Sequence, residues 1–147
     1  MTDSRARFEE LAQWFATLTP TSLQQIDKVY AETATFRDPF NQVVGVASIQ
    51  RIYQHMFEQL GDPRFVITAK VIDSAGAFMT WQFLFTLYDK AYKIEGGTHF
   101  NLDAQGLIVL HRDYWDAAQE LYEKIPVLGA VLRLLRKKLS VRPQIKS

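Results

Sequence analysis

Two short stretches of this chain carry side chains able to move protons. The first is Ala34-Thr35-Phe36-Arg37-Asp38-Pro39-Phe40, in which a carboxylate directly precedes a proline. The second is His111-Arg112-Asp113-Tyr114-Trp115-Asp116. Proline biases the residue before it toward extended backbone, and extended backbone alternates its faces. Phe36 and Asp38 therefore share one face while Arg37 takes the other. By the same rule His111, Asp113 and Trp115 share a face opposite Arg112, Tyr114 and Asp116. Where both inner faces meet, two carboxylates and an imidazole stand in a wall that includes Tyr30, Phe36, Tyr53, Phe57 and Trp115. Two carboxylates in one apolar cavity resist double ionisation, so at least one pKa is expected to rise toward neutrality. Histidine relays protons in the physiological range. Such a set can abstract a proton alpha to a carbonyl, or place a water, with no metal or cofactor.

Each piece also has a structural reading. Asp-Pro opens ordinary turns, and His111 with Asp113 can be a satisfied hydrogen-bonded pair. Arg112 and Asp116 read as a surface pair or a cap on a following helix. His99 falls on the opposite face and His55 on the polar side of a helix, so neither is given a role. Three histidines without clustered spacing do not make a metal site.

The elements that must position these groups follow from hydrophobic period. Phe8, Leu11, Ala12, Phe15 and Leu18 predict a helix over 4–18, and Leu23, Ile26, Val29 and Tyr30 a second one from Ser22. After the Asp38 strand come a short run over 43–46 and a third helix starting at Ala47 or Ser48, which Gly61-Asp62-Pro63 ends. The period then changes from 3.6 to 2. Segments 64–73, 77–88, 92–102 and 107–116 predict four strands with short, antiparallel connections. If Leu102 faces Leu107, the last hairpin pairs Thr98 with His111. Three helices followed by a meander make an α+β plan, a curved antiparallel sheet packed on its N-terminal helices. Further helix is expected to about Lys124 and again from Pro126.

At 147 residues, with 48% hydrophobic and 13% aromatic residues, the chain suits one domain with a real core. The absence of cysteine excludes disulfides and thiolate chemistry and fits a reducing compartment. No segment resembles a signal peptide, and none approaches the roughly 18 apolar residues of a spanning helix. A cytoplasmic protein is expected. Charge is uneven: residues 1–123 carry 10 Lys/Arg against 16 Asp/Glu, whereas 124–147 carry 7 Lys/Arg and no acid. The basic tail has three readings. It can lie as an amphipathic helix over 126–142 on an anionic inner membrane surface. It can pack its apolar side over the domain or a partner subunit. Nucleic acid ranks last, because no aromatic residue interleaves with the cations.

The order of these elements, with the Ala34–Pro39 stretch, a glycine-containing link into the third helix and His111–Asp116 on the last strand, resembles the nuclear transport factor 2-like superfamily. That group includes SnoaL-type polyketide cyclases, ketosteroid isomerases and limonene epoxide hydrolases. The resemblance implies a cone-shaped roll over 1–118, with 119–147 as a basic helical extension of the same domain. It implies a deep apolar cavity, a hydrophobic ring-containing substrate and a homodimer formed through the open sheet face. Asp38 matches the general base of ketosteroid isomerases, while Trp14 and Thr98 stand where those enzymes place a tyrosine and a protonated aspartic acid. Asp113 matches the last-strand aspartate of epoxide hydrolases and cyclases; the other two hydrolase positions fall near Gln82 and Leu84. The expectation is an acid/base enzyme with Asp38, His111 and Asp113 as catalytic groups. Trp14, Tyr30, Phe36, Tyr53, Phe57, Gln82, Thr98 and Trp115 are expected around the substrate. The alternative is a non-catalytic module that binds a lipid-like ligand or a protein.

Overall fold

A computed structural model describes residues 4–74, 76–115 and 128–141. Helix α1 spans Ser4–Ala16 and buries Phe8, Leu11, Ala12 and Phe15, the stripe expected from their spacing. The segment read as a second helix is a 3-10 helix, Ser22–Lys28, bent at Gln25. Strand β1 covers Tyr30–Arg37, β2 covers Gln42–Val44, and α2 covers Val46–Gln59. Four long strands follow: β3 at Gly61–Ile72, β4 at Gly76–Leu87, β5 at Lys90–Leu102 and β6 at Ile108–Trp115. Helix α3 runs from Leu128 to Leu139. The helix expected to end near Lys124 lies outside the described residues.

The six strands form one sheet in the order β2-β1-β6-β5-β4-β3. The sheet is curved and is packed against the N-terminal helices. The meander β3–β6 is antiparallel throughout, but β6 closes beside β1 in parallel, with Phe36 opposite His111 and Arg37 opposite Arg112. The sheet is thus mixed rather than purely antiparallel. That parallel junction brings the two sequence-distant chemical stretches side by side.

Alternation along β4 sends Met79, Trp81, Phe83 and Phe85 inward, all buried. These meet Phe15 from α1 and Tyr53 and Met56 from α2 in one core. The β4–β5 hairpin turns on Tyr88 and Asp89, both at positive φ, the twist a two-residue hairpin demands. The β5–β6 turn is wider than expected. Asp103 and Leu107 close it by a backbone bond of 2.8 Å, and Gly106 sits at φ +81°. An irregularity between Asn101 and Leu102 adds a further step of register. Thr98 consequently pairs with Asp113, and Phe100, not Thr98, pairs with His111.

The C-terminal half of α3 packs its apolar residues within the molecule. Leu135 is buried, while Leu134, Leu139 and Val141 pack on the core. Arg136 and Lys137 are exposed, and Lys138 Nζ donates to Gln59 Oε1 of α2 at 2.9 Å. Among the described residues no helix is long and apolar enough to cross a membrane.

Candidate active site

Between the concave sheet face and the helices lies an apolar cavity of about 90 Å³. Its wall is aromatic and aliphatic, and four polar side chains break it: Asp38, Thr98, His111 and Asp113. They arrive by separate routes. Asp38 follows the end of β1, where Pro39 stops the strand. Asp113 and His111 are two residues apart on β6 and share its inner face. Thr98 comes from β5 through the shifted register.

The two carboxylates are held differently. Asp38 caps its own loop: Oδ1 accepts the backbone N–H of Phe40 at 2.7 Å and of Asn41 at 2.6 Å, and Oδ2 accepts Asn41 Nδ2 at 3.3 Å. Asp38 thus both caps a turn and lines the cavity. Burial raises the Asp38 pKa to about 6, and the Asp113 charge adds to the shift; the Phe40 and Asn41 donors oppose it.

Asp113 is held by side chains. Its Oδ1 lies 2.5 Å from Thr98 Oγ1 and 2.8 Å from His111 Nε2. Trp81 Nε1, which can only donate, reaches Thr98 Oγ1 at 2.8 Å, so the threonine hydroxyl is free to donate onward to the carboxylate. On the far side of the ring, His111 Nδ1 lies 2.7 Å from the Tyr30 hydroxyl, which lies 3.0 Å from that of Tyr53. The network is satisfied in one direction when Nε2–H donates to Asp113, Tyr30 donates to Nδ1 and Tyr53 donates to Tyr30. Burial pushes both phenols well above their ordinary pKa, so both remain protonated donors. Behind this chain, Phe36 and Phe100 pack against the imidazole, at centroid separations of 4.3 and 4.9 Å.

The cavity wall includes Phe36, Tyr53, Thr98 and Trp115 from the residues expected around a substrate. Four others do not line it. Tyr30 is buried behind His111, which it orients. Trp14 stands edge-on behind Tyr53, and its buried Nε1 has no partner. Phe57 packs against the core from outside the wall. Gln82 lies on the outer sheet face and reaches Glu95, because alternation gives the inner face to Trp81 and Phe83. Contributors not expected from the sequence include Asn41, Trp81 and Leu139. The alternation of Met79, Trp81 and Phe83 could have found the tryptophan. Nothing in the sequence marks Asn41, a turn residue by composition yet only 6% exposed.

Gly96 shapes the wall from β5. A side chain there would begin 2.7 Å from the Trp81 ring and 2.8 Å from Trp115, so glycine lets both indoles flank the cavity. Among the described residues no group of three or more His, Cys, Asp or Glu is placed to hold a metal ion.

A curved sheet rolled round N-terminal helices, with a polar cluster at the base of an apolar cavity, is the architecture of the nuclear transport factor 2-like and ketosteroid isomerase-like superfamily. Within it, the family model of the SnoaL-like domain matches residues 11–111, and the chain belongs to that family. No curated protein matches the sequence significantly. Among solved structures, the chain is similar to an LEH-like epoxide hydrolase from M. tuberculosis, with 15% identity, TM-score 0.71, and coverage of 97% of this chain and 100% of that one. It is also similar to SalBIII, an epoxide hydrolase/cyclase-like enzyme of pyran ring formation in the polyether salinomycin. Identity is 19%, TM-score 0.68, and coverage 79% and 95%. A third is a protein of ketosteroid isomerase-like fold from Catenulispora acidiphila, in complex with trimethylamine (14%, TM-score 0.67, 77% and 90%). At these identities the likeness is one of fold, set in a superfamily rich in enzymes of small molecules.

Proposed function

We propose that the chain is an acid/base enzyme acting on an apolar, ring-containing small molecule, with Asp113 as the base and Asp38 as its proton-exchanging partner. One observation carries this reading: two carboxylates open into one apolar cavity, and their surroundings differ. Asp113 accepts from Thr98 and His111 through Oδ1. No bond of comparable kind engages its Oδ2 among the described residues, which suits that oxygen to take a proton from a substrate or a water. Asp38, raised to about 6, exchanges a proton near neutrality. His111 orients the base and, with Tyr30 and Tyr53, supplies a hydrogen-bonded path for charge to be shared. The names of the structural relatives support epoxide opening, cyclisation or isomerisation as the reaction class.

The test is a panel of apolar ketones and epoxides assayed with wild type, Asp113→Asn and Asp38→Asn. Loss of turnover in both variants is expected, together with a wild-type rate that changes through about pH 6. Turnover unaltered by Asp113→Asn would remove it as base.

A second reading, a non-catalytic carrier of an apolar ligand, draws on the predominantly apolar wall of the cavity. It calls for a ligand retained through purification and no turnover of any panel member. The outer sheet face, where Phe78, Val66 and Tyr114 are exposed, supports the homodimer, to be checked by light scattering on the purified chain. A contact of α3 with an anionic membrane is weaker, since Leu134, Leu135 and Leu139 already pack on the core. Vesicle binding that is lost with salt would restore it.

A further inference from the structure

The cavity is small for its wall. An apolar cavity of about 150 Å³ takes one benzene ring, and ligand sites commonly reach about 300 Å³ or more; this one holds about 90 Å³. The C-terminal segment supplies part of that wall. Leu139, at the end of α3, is part of the cavity wall together with Asp38, Phe40 and Trp115.

The segment is fastened there by an element far away in sequence. Asn41 Nδ2 donates to the Leu139 carbonyl at 2.8 Å, and Asn41 Oδ1 accepts the Val141 backbone N–H at 2.6 Å. The two bonds bracket Ser140 in the way a neighbouring strand would, and Ser140 Oγ adds a bond to the Phe40 carbonyl at 3.4 Å. The same amide group of Asn41 reaches Asp38 Oδ2. A buried turn residue thus ties the covering segment to a cavity carboxylate.

We propose that Leu139, seated by the Asn41 clasp, is a built-in competitor for the apolar end of the ligand and sets the size of ligand the cavity admits. This rests on the reading of the cavity as a small-molecule site. A ring-bearing ligand enters the space only as Leu139 leaves it, so part of the ligand's binding energy is spent in breaking the clasp. Removing the plug or its fastening therefore strengthens binding. That sign is the opposite of what loss of a merely structural contact produces.

The experiment titrates full-length wild type, Leu139→Ala and Asn41→Ala with phenol, 2-naphthol and a four-ring steroidal ketone by calorimetry. Hydrogen exchange is followed at residues 134–141. Affinity for the two-ring and four-ring probes is expected to rise about tenfold or more in both variants, the scale of leaving one leucine side chain out of competition. Phenol should gain least. In wild type, saturation with 2-naphthol should speed exchange of the Val141 amide, a measurement that needs no variant to fold. Wild type binding all three probes, with affinities unchanged or weaker in the variants and Val141 still protected, overturns the plug and leaves the cavity reading standing. No binding of any probe to any of the three proteins overturns both.

Discussion

The Asp38 loop and the Asp113 strand present the same functional group to the same cavity, and they are built on opposite principles. Asp38 is fixed by its own neighbours in sequence, through backbone N–H groups two and three residues on. Asp113 is fixed across the sheet, by Thr98 from the adjacent strand and His111 from its own. A locally wired carboxylate keeps its geometry wherever the loop goes, but burial still decides its proton affinity. A carboxylate wired through tertiary contacts depends on strand register, and a slip of one residue along β5 would turn Thr98 away to the other face. The contrast separates a group tuned by desolvation from one positioned by partners.

The largest effect should come from Asp113→Asn. Removing a positioned general base costs about 10²- to 10⁴-fold in turnover. A loss below tenfold on any substrate found would mean that the strand carboxylate is not the base. Next is Thr98→Val, which takes one donor from Asp113 and leaves the buried Trp81 Nε1 without an acceptor. A destabilisation of about 1–3 kcal/mol is expected in urea denaturation; an unchanged midpoint would show that the cross-sheet wiring carries no energy.

Asp38→Asn sharpens the other half of the contrast, with a smaller effect that depends on pH. The folded-state pKa of Asp38, about 6, lies above its ordinary value of 3.8. The folded protein therefore binds this proton more tightly than the unfolded chain does. The stabilisation is fully present at low pH and is lost as pH rises through about 6. The variant lacks this dependence, so its stability relative to wild type should improve by about 1 kcal/mol between pH 5 and pH 8. Parallel stability profiles for the two proteins would show that burial does not control Asp38. The smallest effect is expected for Trp14→Phe. Its indole N–H has no partner and its ring lies outside the cavity wall. Turnover should hold within about twofold and stability within about 1 kcal/mol, a modest packing change. A large loss of turnover would return Trp14 to the site.

The inner faces of β1 and β6 could be read in advance because alternation is a local property. Phe36 with Asp38, and His111 with Asp113 and Trp115, stand where period two puts them. Gln82 was misplaced because the family pattern, not alternation, pointed to it; the strand's own period puts Trp81 inward instead. The pairing of Thr98 with Asp113 was out of reach, since hairpin register depends on how the turn closes and on an irregularity no residue type announces. Asn41 hides for a related reason. It sits 98 positions from the carbonyl it binds, and an asparagine beside a proline turn reads as solvent-facing.

The amino-acid sequence by itself determined the succession of helices and strands among the described residues and which side chains could face inward together, because these follow from periods that each segment carries alone. Only the tertiary structure decided that β6 lies parallel to β1, that Thr98 meets Asp113 across the wider turn, and that Leu139 covers the cavity. Each of those rests on contacts between segments far apart in the chain, whose energies compete across the whole fold and leave no mark in any one stretch of it.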